Sequence, residues 1–532
     1  MKTYFLFLSL FFSIFSTAQT GADILIKNGR VIDGTGNSWF YADIAVKDGK
    51  IIKMGKNLSL TSDKIIDAKG LVVAPGFIDV HGHIEGGIIS TPEAANYIYD
   101  GVTTVITGNC GGSAADIKKF YDRVDSVRSS INVSTLVGHN TVREQVMNEE
   151  DRKPTPAEQA QMEALVIQAM KDGAVGLSTG LIYIPGTYAE TEEVVGLAKA
   201  AAQHNGIYAS HIRDEENEVV PAIEEALHIG RSANIPVQIS HFKIGGKVNW
   251  GNSITTIGMV EKARSEGWDV TIDQYPYTAS STNLGVRLPD WAFAGGNDSL
   301  KARLNNPVIR KQIKKDMLHQ LNQYGFKNYS YAVVANYRAD STYNGKNITE
   351  INKLKGRKGK AKFEAETIMD MIEKGGAQMI YHTMNEKDVK YIMQYPFSMF
   401  GADAGVPQPG KGMPHPRGYG TNARVLGKYV RDEKVIKLEE AIRRMSSLAA
   451  QKYGLTDRGL LKEGMAADIV IFDEKTVRDN ATFDKPHAYS TGFKYVLVNG
   501  ILTVENEKHT GARSGSVLRG SAWTPVNDEL IN

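Results

Sequence analysis

FIDVHGH, residues 77–83, sets a short apolar run directly against two histidines spaced two apart. In a strand, residues i and i+2 project to the same face, so His81 and His83 can point at one position while Gly82 allows close packing. Such a pair also occurs as a hydrogen-bonded core feature, so its meaning depends on the rest of the chain. Outward from it the pattern of a short apolar run recurs: TTVITGNC (103–110), STLVGHN (134–140), VGLSTGL (175–181), GIYASHI (206–212), PVQISHF (236–242), DVTIDQYP (269–276) and FSMFGAD (397–403). Helix-like stretches such as EEVVGLAKAAAQH and VVPAIEEALHIGRSA lie between most of these runs. Alternating strands and helices mark a parallel α/β architecture, and eight units predict a (β/α)8 TIM-like barrel.

The ends of those runs carry the chemistry. Cys110, His211, His241 and Asp403 close the second, fifth, sixth and eighth of them. In a (β/α)8 barrel the carboxyl ends of all strands open onto one face, which holds the active site. With His81 and His83, six ligand-type residues therefore converge on a metal centre. Imidazole, thiolate and carboxylate together suit zinc, which lowers the pKa of bound water to about 7. Asp403 beside that water would act as general base and then general acid; the bland alternative is a loop or helix-cap aspartate. Cys110 is the chain's single cysteine, so no internal disulfide is open to it. It is a partner-linking thiol, an inert buried one, a nucleophile or a ligand.

The flanks read differently. ADILIKNGRVIDGTG and YADIAVKDGKIIKMG near the start, and AADIVIFD (466–473) and YVLVNG (495–500) near the end, are β-branched runs broken by Asn-Gly and Asp-Gly, which are hairpin signals. Both chain ends are expected to form one small β-sandwich domain, with residues 19–74 and 451–532 flanking the barrel at 75–450. More than a hundred residues separate the seventh and eighth strands. A structureless loop of that length is improbable, so an inserted helical subdomain at about 285–375 is expected, able to cover the barrel mouth. Its basic run KLKGRKGKAK (353–362) reads as a solvated face.

Met1-Lys2, an apolar run from Tyr4 to Phe15 and small residues at 16–18 match a secretory signal peptide at 1–18 and an exported, periplasmic or secreted protein. The run is short for a membrane span. A chain of 532 residues with 42% hydrophobic and 23% charged residues and a net charge of +2 is an ordinary globular protein, and it offers no basic block for a nucleic-acid partner.

The stretches PGFIDVHGH, GNCGGSAA, GLSTGLIYIPGTYA, SHIRDE, ISHFK, DQYPYTAS, HPRGYGT with RVLGKYVR, and RGLLKEGMAADIVIFD followed by YVLVNG run in order across almost the whole chain. In them the sequence resembles the D-aminoacylases, or N-acyl-D-amino-acid deacylases, of the metal-dependent amidohydrolase superfamily. The resemblance implies hydrolysis of an N-acyl-D-amino acid, a small-molecule substrate, to a carboxylate and a free D-amino acid. It implies one tight Zn2+ on Cys110, His211 and His241, and a second, weaker position lined by His81, His83 and Asp403. It further implies that Tyr183, Lys243, Tyr275, Ser281 and Arg417 bind the substrate α-carboxylate, which suits an arginine fork and a lysine point charge. Lys243 and Arg417 could instead form ordinary salt bridges, and Tyr277 lies two residues from Tyr275. IEGG after the histidine pair and ADAG around Asp403 depart from the family pattern and bear on substrate preference. Arg213, Asp214 and Glu215 are expected to orient their loop, and His139 and His382 to be second-shell or unrelated. Hydrolysis of cyclic amides or modified dipeptides is the alternative activity, and a metal-free scaffold the non-enzymatic one.

Overall fold

The structure, a computed structural model, describes residues 21–525; the expected leader at 1–18 lies outside them. Eight short strands form the centre: β1 (Phe77–Asp79), β2 (Val102–Thr107), β3 (Asn132–Thr135, resuming after Leu136 as Val137–Gly138), β4 (Gly176–Gly180), β5 (Ile207–His211), β6 (Val237–Ile239), β7 (Val270–Gln274) and β8 (Ser398–Phe400). Each pairs in parallel with the next, from Ile78↔Thr104 to Asp273↔Met399. A parallel bridge Gly82↔Ala404, with the His83 amide donating to the Ala404 carbonyl at 2.9 Å, joins β1 to β8 and shuts the ring. The strands are buried along their length, which is why they read as apolar runs rather than alternating ones.

The helices around the barrel are built by local signals. Pro156–Lys171 starts on a capping box between Thr155 and Glu158 with proline at its first position, and turns Met162, Val166, Ala169 and Met170 inward. Val219–Ala233 buries a face of alanine and branched aliphatic residues and stops at Asn234, which is left-handed.

The two chain ends meet in a nine-stranded sheet. Val72–Pro75 pairs antiparallel with Ile469–Phe472, the seam between N-terminal and C-terminal contributions. The expected sandwich is thus a single hydrogen-bonded sheet that branches at its first strand. Ala22–Lys27 pairs with Ser62–Asp67, while Arg30–Val31 pairs with Val72–Val73. The switch occurs at Asn28-Gly29, where Asn28 has φ 60° and the register with the strand Phe40–Lys47 slips. This Asn-Gly is a bulge and not the hairpin its sequence suggests, because a Cβ on Gly29 would stand 2.6 Å from Val73 Cγ2 of the new neighbour. Asp48-Gly49 and Asn499-Gly500, positive in φ at both positions, are the true hairpin turns.

Two further boundaries differ from expectation. The helix Ser447–Lys452 crosses the expected border at 450 and packs beneath the barrel. Past the β domain, residues 515–520 return to the amino ends of β3 and β4, with Val517 bridging Val133 and Gly520 donating to the Gly173 carbonyl. The insert is α/β rather than helical. Ser280–Asn283, Gln378–Tyr381 and Ala332–Asn336 form a three-stranded antiparallel sheet under four helices with its own core. Ser280–Asn283 is polar, and the short apolar stretches of Gln378–Tyr381 and Ala332–Asn336 become a sheet only once they pair across the insert. Its basic run is largely the solvated face expected, with Lys353, Lys358, Lys360 and Lys362 exposed, while Lys355 and Arg357 each lie 2.8 Å from Asp370, which also accepts from Arg310.

Candidate metal centre

Three donor atoms face one another at the carboxyl mouth of the barrel. Cys110 Sγ lies 3.4 Å from both His211 Nδ1 and His241 Nε2, and these two nitrogens are 2.9 Å apart. His81 Nε2 is 3.2 Å from the same sulfur. Asp403 Oδ1 sits 3.8 Å from His81 Nε2 and 3.2 Å from His83 Nε2. All six residues expected at the centre are thus brought together.

The backbone is bent to achieve this. Cys110, His241 and Asp403 have φ of 54°, 34° and 48°, in the left-handed region that residues other than glycine seldom occupy. Left-handed geometry just past a strand end turns the side chain back over the barrel axis, and strain of this kind collects at functional sites. Gly180 makes room below: a Cβ there would stand 2.1 Å from the Cys110 carbonyl.

The donors fit a zinc ion. Burial lowers the pKa of His81 and takes that of His211 far below the ordinary histidine range, so both present neutral imidazoles. The two imidazole nitrogens 2.9 Å apart and the sulfur 3.4 Å from each bring three donor atoms to one point, an arrangement that a shared cation would complete. Tetrahedral zinc, with Zn–S of about 2.3 Å and Zn–N of about 2.0–2.1 Å, spaces its donors roughly 3.3–3.6 Å apart, within a few tenths of an ångström of what is found here. Burial pushes the Cys110 thiol up, and a bound cation is what would hold it as thiolate.

Further residues complete the site, and sequence reasoning passed over them. Glu215, expected only to orient its loop, accepts at 2.9 Å from His241 Nδ1 and forms an ion pair with Lys243. Burial opposes its ionisation, but Lys243, His211 and His241 hold it well below the usual carboxylate range. Asp273 accepts from the His241 amide at 2.9 Å and from Gln238 at 2.6 Å, and lies 3.5 Å from His81 Nδ1. Asp79 accepts from the amides of His81 and Ala402, a carboxylate clamp across the β1–β8 seam; burial raises its pKa to about 8. These groups fix ring orientation behind the donors. The signal available was an aspartate inside an otherwise apolar barrel strand, FID and IDQ. His415 is a further such residue: its Nε2 donates to the Ala279 carbonyl at 2.9 Å and its Nδ1 accepts from the Arg417 amide.

Asp403 is bound on both oxygens. Arg417 Nη1 lies 2.9 Å from Oδ2. Burial works against the charged form, yet Arg417, His81 and His83 take Asp403 far below the usual carboxylate range. Of the residues expected to hold a carboxylate, Lys243, Tyr275 and Tyr183 line a small cavity of about 50 Å3 that Asp403, His211 and His241 also border. Arg417 lies over the face of Tyr275 at 4.4 Å. The hydroxyls of Tyr275 and Tyr277 are both buried without a hydrogen-bond partner among the described residues, but only Tyr275 lines the cavity, and Tyr277 packs edge-on against His415 and Phe483. Tyr183 takes a hydrogen bond from Thr282, which leaves its own proton for the cavity. Ser281 departs from expectation: its hydroxyl donates to Met379 O and accepts from Gln378 within the insert sheet, and it is the Ser281 carbonyl that meets Arg417, at 3.3 Å.

His139 and His382 stay outside. Strand β3 ends at Gly138, so His139 opens a helix and bonds Glu193 at 2.9 Å, and His382 stacks edgewise on Phe483.

The cavity also holds Arg287, which was not foreseen. It is 5% exposed, its Nε and Nη1 have no hydrogen-bond partner among the described residues, and Glu216 stands 3.9 Å from Nη1.

Compared with known proteins, the chain matches the model of the Amidohydrolase family over residues 64–270 and 322–504. The D-aminoacylase of Alcaligenes xylosoxydans xylosoxydans is 34% identical over 523 residues, covering 94% of this chain and 98% of that protein. The N-acyl-D-aspartate deacylase of the same organism is 35% identical over 530 residues, 95% of this chain and 97% of its own. The crystal structure of an N-acyl-D-glutamate deacylase from Bordetella bronchiseptica, complexed with zinc and a phosphonate mimic of the tetrahedral intermediate, superposes with a TM-score of 0.81 at 34% identity, covering 94% of this chain and 100% of that one.

Proposed function

The chain belongs to the amidohydrolase family, in its D-aminoacylase branch, and on that premise we propose that it hydrolyses N-acyl-D-amino acids to a carboxylate and a free D-amino acid. One observation carries this reading: His211 and His241, each 3.4 Å from Cys110 Sγ, line the same small cavity as Lys243, Tyr275 and Arg287. A zinc ion on the trio supplies a Lewis acid and a water made acidic enough to react at neutral pH. The chain does the rest. Arg417 and Lys243 with the free hydroxyl of Tyr275 anchor the α-carboxylate, and charge-assisted hydrogen bonds of this kind fix the amide in place. Asp403 takes the proton of the attacking water and returns it to the departing nitrogen. Glu215 keeps His241 oriented through Nδ1 and holds the Lys243 ammonium at the cavity wall. The first test is turnover of paired N-acetyl-D- and N-acetyl-L-amino acids by the zinc-loaded protein, with hydantoin as a cyclic-amide control. Equal rates on the enantiomers would remove the D-specific reading, and turnover of hydantoin alone would replace it.

Within the class, the cavity favours an acidic side chain. Arg287 brings a buried cation to its wall, paired at 3.9 Å with Glu216 but with no hydrogen-bond partner for Nε or Nη1 among the described residues, and a carboxylate would satisfy these N–H groups where an aliphatic chain would leave them bare. Hydrogen bonds to a charged group contribute roughly 1.5–3 kcal/mol, so Arg287→Met is expected to lower kcat/KM for N-acetyl-D-glutamate or N-acetyl-D-aspartate about 10- to 100-fold. N-acetyl-D-leucine should change little. Steady-state kinetics on these substrates decide it, and an equal loss on all of them would show that Arg287 only supports the fold.

Export remains part of the proposal. It is supported by the charge and apolar pattern of residues 1–18, and among the described residues no helix is long and apolar enough to cross a membrane. Amino-terminal sequencing of the protein from a periplasmic fraction tests it.

A further inference from the structure

Two cavities of very different size meet at the metal centre. They share Tyr183, Ser281, Thr282 and Asp403. The smaller, about 50 Å3, holds Lys243, Tyr275 and Arg287 and is the place for the amino-acid half of the substrate. The larger, about 550 Å3, begins at His83 and Cys110 and opens between the chain after β8 and the insert. An amide held across the donors must send its acyl group into this second space.

The larger cavity is far more than an acetyl group needs. Pockets of roughly 300–1,000 Å3 enclose drug-sized ligands, whereas acetyl offers one methyl. Beyond the donors its lining is mainly apolar, with Ala335 from the insert, Ala404, Val406, Pro407 and Pro414 from the chain after β8, and Tyr419, beside the uncharged polar side chains of Thr282, Asn283 and Gln378. Its charged lining residues are few: Asp403 and Arg417, which pair with each other, and the histidines His83 and His415. The wall is also fixed in advance. Pro407, Pro409, Pro414 and Pro416 lock φ at four of ten positions, and Tyr419 is pinned through its hydroxyl to His487 at 2.8 Å. A preformed apolar wall without charge costs little to occupy and rewards each methylene that it covers.

We propose that this enzyme is built for N-acyl groups that are long or aromatic and uncharged, of about six to eight carbons, and that N-acetyl compounds are its poor substrates. The proposal rests on the deacylase reading given above and concerns the other half of the same substrate.

The test uses the full-length zinc-loaded protein and N-acetyl, N-butyryl, N-hexanoyl, N-octanoyl and N-succinyl derivatives of one D-amino acid. Burying a methylene contributes about 0.8 kcal/mol, so kcat/KM is expected to rise roughly three- to fourfold per added carbon up to about hexanoyl. N-succinyl, which brings a charge to an uncharged wall, should fall at least tenfold below N-butyryl. Val406→Phe should cut the octanoyl-to-acetyl ratio about tenfold by filling the space of two or three methylenes. A flat or falling series from acetyl to octanoyl overturns the proposal. Product binding separates this failure from that of the deacylase reading: octanoate should bind at least about 30-fold tighter than acetate by calorimetry whether or not any amide is cleaved. If no N-acyl-D-amino acid is hydrolysed yet octanoate binds so, the acyl cavity stands and the deacylase reading falls. Equal binding of octanoate and acetate sinks the cavity assignment.

Discussion

Cys110→Ala is expected to lose both zinc and activity while keeping the fold. Apparent zinc affinities of roughly 10–16 kcal/mol spread over three or four donors put one thiolate at about 3–4 kcal/mol, or two to three orders of magnitude in affinity. The side chain is small and its backbone is strained at φ 54°, so its removal should cost the barrel little. Zinc per chain after dialysis against a chelator, read by atomic emission beside a circular dichroism spectrum, tests this. Undiminished zinc and rate would strike Cys110 from the ligand set. Loss of the dichroism signal would show that the thiol supports folding instead.

Asp403→Asn should separate what Cys110→Ala confounds. The trio of Cys110, His211 and His241 does not include Asp403, so the variant is expected to retain its tight zinc. Its amide cannot take a proton from water or deliver one to the leaving nitrogen, and general acid–base catalysis is typically worth about 10²–10⁴-fold. kcat should fall by that factor with zinc content unchanged. The Asp403 carboxylate is also the partner of Arg417, which lies 2.9 Å away, so KM for the carboxylate-bearing substrate should move by much less than kcat. Zinc lost together with rate would make Asp403 chiefly a ligand, and a rate within threefold of the parent would deny it the proton-transfer role.

The barrel was legible in the sequence because each strand is buried on both faces and so stands out as a short run, and five of the eight runs end on a donor residue. The six donors followed from their common place at strand ends. Glu215 did not, because it belongs to a loop whose path brings it back under His241 and no local pattern encodes that return. Asp79 and Asp273 were in view as letters, but their inward direction becomes visible only once the ring closes. Arg287 lies in the insert, whose strands depend on pairing between segments about fifty and a hundred residues apart. Ser281 shows the converse: a hydroxyl matched by motif spends its hydrogen bonds on Met379 and Gln378 because the sheet claims it first. Asn28-Gly29 misled for the same reason, since one left-handed residue, Asn28, serves a bulge where the hairpin turn would need both positions left-handed.

Residues 515–520 run along the amino ends of β3 and β4, on the barrel face opposite the donors, and leave Trp523 partly exposed there. A support, label or fusion partner joined at this end would therefore hold the protein by its base with the mouth turned outward. Immobilised this way, the enzyme should keep its access to bulky substrates, whereas coupling through the lysines of the insert would crowd the entrance.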